Sequence, residues 1–165
     1  MNMKRHVLIV DENPYVVDIL VQTLCKDFKI TIAGTGQEAA HLLIQGYRFD
    51  SVITEIELTS FSGLELTKLI RMSRLTAQIP VVILSSVSDS NTRITCLEQG
   101  ADAFLSKPFN PLEVKAKLHA LLRRADSPDQ EVQKRLSVRA NKGGKTIWSY
   151  PSRILSILFG GFAVS

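Results

Sequence analysis

Short runs rich in apolar residues alternate, over the first 125 residues, with longer stretches in which apolar residues recur every three or four positions. The runs are HVLIV at 6–10, KITIA at 29–33, residues 51–55, VVILS at 81–85 and DAFLS at 102–106. Their length and β-branched content predict strands. The stretches between them predict helices. Asn13-Pro14 opens one that runs through residue 26, with Val16, Val17, Leu20, Val21 and Leu24 on one face, and Pro14 suits its first turn. Thr35 and Glu38 have capping-box spacing and start a helix through Gln45, with Gly46 as its stop. Residues 63–72 carry Leu64, Leu66, Leu69 and Ile70 at helical spacing, and a further helix runs from Asp89 to Gly100. Asn110 caps a last helix, Pro111 to Arg124, whose stripe is Leu112, Val114, Leu118, Leu121 and Leu122.

Strand and helix signals repeated five times predict an α/β domain with a parallel sheet covered on both faces. A fully apolar strand such as VVIL at 81–84 fits burial on both sides. Right-handed crossovers leave few windings. A flavodoxin-like (βα)5 three-layer sandwich, strand order 2-1-3-4-5, is one of the two common solutions. This organisation accounts for residues 1–125. Residues 126–165 read as a linker, Asp126-Ser-Pro-Asp129, and a tail. The tail pattern is a basic stretch, a hairpin signal between LSVRA and TIWSY, and an apolar run of about 11 residues. That run falls short of the roughly 20 needed to span a bilayer. Beside the basic stretch and Trp148 it suits contact with an anionic membrane surface, a partner or the domain itself.

Charge refines this division. Residues 1–125 hold 14 Lys and Arg against 13 Asp and Glu, whereas residues 126–165 hold 6 against 3. The main domain is therefore close to neutral and carries no footprint for nucleic acid. Cys25 and Cys96 sit in apolar helical patterns without metal or redox spacing, and read as small core residues. Without a disulfide framework, and with only a four-residue apolar run before Asp11 where a signal peptide has more, a cytoplasmic location is expected. The tail adds the alternative of a membrane-peripheral one.

In open parallel sheets, sites form beyond the carboxyl ends of the strands. The first strand ends at Asp11 and Glu12, the third at Glu55, the fourth at Ser85 and Ser86, and the fifth at Lys107. Three carboxylates gathered there repel one another unless cations balance them. Lys107 supplies one positive charge, and an oxygen-preferring ion such as Mg²⁺ would supply two more.

The segments VLIVDENP, VITEIELTSFSGLEL, IPVVILSS and GADAFLSKPF resemble those of response-regulator receiver domains, the CheY-like module of two-component signalling. The resemblance extends over residues 4 to about 124, with its motifs in order at the expected strand ends. It implies that Asp11 and Glu12 form the acidic pair that binds Mg²⁺, and that Glu55 stands at the phosphoacceptor position. It implies Ser85 and Phe104 as the switch residues and Lys107 as the lysine that contacts the phosphoryl group. The partners implied are a histidine kinase or an output protein. The face formed by residues 89–124, with Arg93, Glu98, Asp102, Lys115 and Arg123 in mixed charge, is the implied contact surface and suits a homodimer. The chain is expected to be a regulatory module rather than an enzyme.

The departure is Glu55, where the family has aspartate. Gly63 follows eight residues later, as in the family, and Thr59 takes the place of a usual proline. One extra methylene moves the acceptor oxygen by about 1.3 Å. A misplacement of about 1 Å costs about 100-fold in a positioning-dependent transfer. Glu55 is therefore expected to be a poor phosphate carrier. Its longer arm is expected to reach Lys107 or to accept from Ser85, mimicking the modified state. An inert scaffold and a receiver that still transfers phosphoryl groups, with autophosphatase activity, are the alternatives. Mg²⁺ binding by Asp11, Glu12 and Glu55 is expected to be weakened, because Glu12 is also longer than the family's aspartate and Mg²⁺ demands near-octahedral geometry.

Overall fold

Each of the five expected strands forms, and each is followed by a helix. The order is β1 (Arg5–Val10), α1 (Pro14–Leu24), β2 (Phe28–Ala33), α2 (Gly36–Ile44), β3 (Ser51–Glu55), α3 (Gly63–Met72), β4 (Val81–Ser85), α4 (Ser90–Glu98), β5 (Ala103–Ser106) and α5 (Pro111–Ala125). The computed structural model describes residues 3–127. All the strands are parallel and lie in the order β2-β1-β3-β4-β5, as the pattern predicts.

Alternation along the strands sorts the core into two layers. Val7, Ile9, Ile53, Val82, Leu84 and Leu105 pack with Val17, Leu20 and Leu24 of α1 and Val114, Leu118 and Leu122 of α5. Leu8, Val10, Val52, Val81 and Ile83 face the other way, onto Ala39, Ala40 and Leu43 of α2, Leu66, Leu69 and Ile70 of α3, and Cys96 of α4. Every residue of β3 and β4 is buried, which is why β4 reads as a continuous apolar run rather than an alternating one.

Local chemistry sets the helix ends. Asn13 and Asn110 each accept an N–H from the first turn of a helix that begins with proline. Ser62 and Glu65 form a complete capping box at α3. At α2 only half of the expected box forms: Thr35 accepts from Glu38 N, but the Glu38 carboxylate turns to Gly34 N. Gly100, at φ +108°, closes the turn after α4, so that helix stops at Glu98 rather than running to Gly100.

Two expectations are corrected. Leu112 belongs to the first turn of α5, off the buried Val114–Leu118–Leu122 stripe, and is 67% exposed. Cys25 lies one position past Leu24, the last buried residue of α1, and is exposed, whereas Cys96 is buried. The expected linker begins as ordered chain. Asp126 caps α5 and its carboxylate holds the Arg5 guanidinium at the start of β1. The predicted hairpin and apolar run of the tail lie outside the described residues.

Candidate functional site

The strand order reverses between β1 and β3, since β2 and β3 lie on opposite sides of β1. Ligand clefts form at such a switch point. The register brings the chemistry there. Val10 pairs with Thr54, Glu55 with Leu84, and Ser85 with Ser106. Asp11, Glu55, Ser85 and Lys107 therefore all leave the sheet at one end.

Lys107 joins them. Its Nζ lies 2.7 Å from Asp11 Oδ2 and 2.6 Å from Glu55 Oε2. Both carboxylates are nearly sealed from solvent, Asp11 at 5% and Glu55 at 6% exposure. Burial alone would push the Lys107 pKa down, but the hydrogen bonds and charges of Asp11 and Glu55 outweigh it and leave the pKa above its ordinary value. Lys107 is thus held as an ammonium between two acids. Its backbone N–H donates to Ser85 O at 2.7 Å, which fixes the root of the side chain to the end of β4.

The remaining carboxylate oxygens face backbone donors. Glu55 Oε1 accepts from Ile56 N at 2.6 Å and from Glu57 N at 3.3 Å. Asp11 Oδ1 accepts from Asn13 N at 2.8 Å. The Glu55 side chain thus curls over its own loop, and one carboxylate collects an ammonium and two N–H groups. These are charge-assisted contacts, the strong class of hydrogen bond. Of the two partners expected for Glu55, Lys107 is the one bonded. Ser85 is fully buried, and its Oγ accepts from Val87 N at 3.1 Å.

Glu12 behaves differently from Asp11. It is exposed, and its carboxylate reaches across the cleft to the β3–α3 loop, where it accepts the Thr59 N–H and, at 3.0 Å, the Thr59 hydroxyl. Phe104 is partly buried against the α2–α3–α4 layer. The Arg93 guanidinium of α4 sits 5.4 Å above its ring and also donates to Ser106 Oγ at 3.3 Å, a cation–π contact that closes the α4–β5 seam.

The proposed Mg²⁺ ligands do not fit a cation as they stand. Asp11 and Glu55 are turned to Lys107, and Glu12 to Thr59. Among the described residues, no group of three or more His, Cys, Asp or Glu side chains is arranged to hold a metal ion. Sequence reasoning brought Asp11, Glu55 and Lys107 together correctly. It missed the engagement of Glu12 by Thr59 and of Phe104 by Arg93. The signal for the first was present: threonine at 59 offers an N–H and a hydroxyl that proline lacks.

A family model of the response regulator receiver domain matches residues 7–119. The response regulator GtcR of Aneurinibacillus migulanus is 34% identical over 146 residues, covering 87% of this chain and 58% of that protein. The phosphate regulon transcriptional regulatory protein PhoB of Pseudomonas aeruginosa is 30% identical over 127 residues, covering 77% of this chain and 56% of that protein. The chain thus spans a little over half the length of these curated relatives. Among solved structures, the chemotaxis response regulator CheY4 of Vibrio cholerae superposes with a TM-score of 0.66 at 26% identity, over 72% of this chain and 99% of that one.

Proposed function

The chain belongs to the response-regulator receiver family, and from that premise we propose that it is an atypical receiver whose output state is biased by Glu55 itself rather than by a transferred phosphoryl group. Receiver domains are signalling modules that interact with histidine kinases and output domains, and they generally bind Mg²⁺ at the phosphorylation site. The observation that carries the reading is the set of donors gathered on one carboxylate: Lys107 at 2.6 Å, Ile56 N at 2.6 Å and Glu57 N at 3.3 Å. An anionic group attached to residue 55 needs this donor set, and the Glu55 carboxylate already occupies it. A phosphoryl group would have to displace the carboxylate from its donors before entering. Mg²⁺ would in turn have to draw Asp11 and Glu55 away from Lys107, so its binding is weak. The mimicry is partial, because a phosphoryl group carries about −1.5 to −2 charges and a carboxylate one. A bias of about 1–2 kcal/mol is enough to shift a two-state switch.

In this reading the chain is no enzyme, and its output is a protein contact. The test uses acetyl phosphate with Mg²⁺. The natural chain is expected to show no phosphoryl adduct by intact mass, whereas the Glu12→Asp/Glu55→Asp variant, which restores the shorter acids, takes one. Amide chemical shifts at Ser85, Phe104 and Lys107 in the natural chain are expected to lie nearer the phosphorylated than the unphosphorylated variant. A stoichiometric adduct on the natural chain that Glu55→Gln abolishes would establish a phosphorylatable receiver instead.

A further inference from the structure

The two loops that flank the cleft are tied together by a contact that spans 47 positions in the sequence. Both oxygens of Glu12 are used, and both donors of Thr59 are used: N–H to Oε1, hydroxyl to Oε2. A proline at 59, the residue that the family resemblance leads one to expect, would offer neither. The loop that Thr59 belongs to is closed by its own backbone hydrogen bonds. Thr59 O accepts from Phe61 N at 2.8 Å, Ser60 between them has φ 68°, and Phe61 is buried at 1% exposure. Gly63 N then donates to Ile56 O at 2.9 Å and closes the loop on itself. The other end of that closed loop is Ile56-Glu57, whose N–H groups face Glu55.

From this we infer that Glu12 is a positioning residue and not a metal ligand. Its carboxylate grips Thr59 and links the β1–α1 and β3–α3 loops directly, so that the loop presents the Ile56 and Glu57 N–H groups without a divalent cation to bridge them. The commitment of Asp11 and Glu55 to Lys107 and of Glu12 to Thr59 is the disagreement between these residues and the metal that the family generally binds. Glu12 acts through Thr59 and touches no transferred group. The inference stands whether or not Glu55 mimics a phosphoryl group.

Amide hydrogen exchange by NMR on the full chain tests it, in EDTA and then in millimolar MgCl₂. In EDTA the Thr59 N–H is expected to be protected. Glu12→Ala is expected to speed exchange at Thr59, Ile56 and Glu57 by about tenfold, the loss of a charge-assisted pair at an exposed position, while strand amides such as those of Val7 and Leu84 keep their rates. Glu12→Gln is expected to retain the protection, since its amide oxygen accepts the N–H and its NH₂ donates to the Thr59 hydroxyl oxygen. Thr59→Pro, which removes both donors, is expected to speed exchange at Ile56 and Glu57 as Glu12→Ala does, and millimolar Mg²⁺ is expected to leave the Asp11, Glu12 and Glu57 amides of the natural chain unshifted. Unchanged exchange in Glu12→Ala would overturn the inference. So would Mg²⁺ shifting the Glu12 and Thr59 amides of the natural chain while releasing the Thr59 protection.

Discussion

Lys107 decides the electrostatics of the cleft, because it is one ammonium serving two buried carboxylates. Removing it leaves Asp11 and Glu55 facing each other with no cation, and breaking a buried pair from one side is costly. Lys107→Met is expected to destabilise the fold by about 3 kcal/mol. Glu55→Gln is expected to cost less, about 1–2 kcal/mol, since the Asp11–Lys107 pair survives and the amide oxygen still accepts from Ile56 N, while its NH₂ has to turn away from the Lys107 ammonium. Urea denaturation at neutral pH separates the two. The pH dependence follows from the raised pKa of Lys107. The folded state holds this proton more tightly than the unfolded chain, so its contribution is complete below the ordinary lysine value of 10.5. It is lost as pH rises from there through the higher folded value. The stability gap between the natural chain and Lys107→Met is therefore expected to stay constant from neutral pH to about 10 and to narrow above it.

The β3–α3 loop is the element on which the site depends, and close backbone approaches fix its course. A Cβ on Gly63 would lie 2.0 Å from Glu55 O, and one on Gly36 would lie 1.7 Å from Phe61 O. α3 thus starts against the end of β3, and the first turn of α2 rests on the loop backbone. Neither contact has a flexible side chain that can give way. Gly36→Ala and Gly63→Ala are each expected to cost about 3 kcal/mol through overpacking. Gly46, at φ +90° with open space around it, is a control; its replacement by alanine is expected to cost only about 1 kcal/mol of backbone strain. Thermal or urea unfolding ranks the three. If the loop carries the Glu55 donors, Gly63→Ala is also expected to shift the Ile56 and Glu57 amide resonances, whereas the Gly46 variant leaves them in place.

At the scale of the whole molecule, the site is joined to a surface suited to a partner. Ser106 and Phe104 of β5 meet Arg93 of α4, and Lys107 follows directly in sequence. α4 exposes Ile94 at 50% and Leu97 at 44%, and buries only Cys96. With a single buried residue, α4 is the least firmly anchored of the five described helices. The surface charges around it are less free than the sequence suggests. Asp102 is held by Arg71 at 2.8 Å, and Lys115 by Asp27 at 2.6 Å. The apolar pair on α4 is the better candidate for contact, in a homodimer or with an output protein. If α4 carries the expected homodimer contact, the natural chain associates with rising concentration in sedimentation velocity, and Ile94→Asp combined with Leu97→Asp abolishes that association while the melting temperature stays within a few degrees, because neither side chain is buried. Among the described residues no helix is long and apolar enough to cross a membrane.

Most of the architecture was legible in residue order because it rests on short-range rules. Short apolar-rich runs and period-3.6 patterns set the elements, asparagine and threonine caps set their starts, and handed crossovers limited the winding. Strand ends carrying Asp11, Glu55, Ser85 and Lys107 then placed one chemistry at one edge, since parallel strands share a direction. What residue order left open was the choice among partners several elements apart. Glu55 had Lys107 and Ser85 within reach on paper, and Glu12 had only a cation. Leu112 and Cys25 matched apolar patterns yet point outward, because a periodic stripe is wider than the face that packing covers. Such choices depend on how closely side chains far apart in the chain approach one another, and only the folded packing of the loops sets those distances.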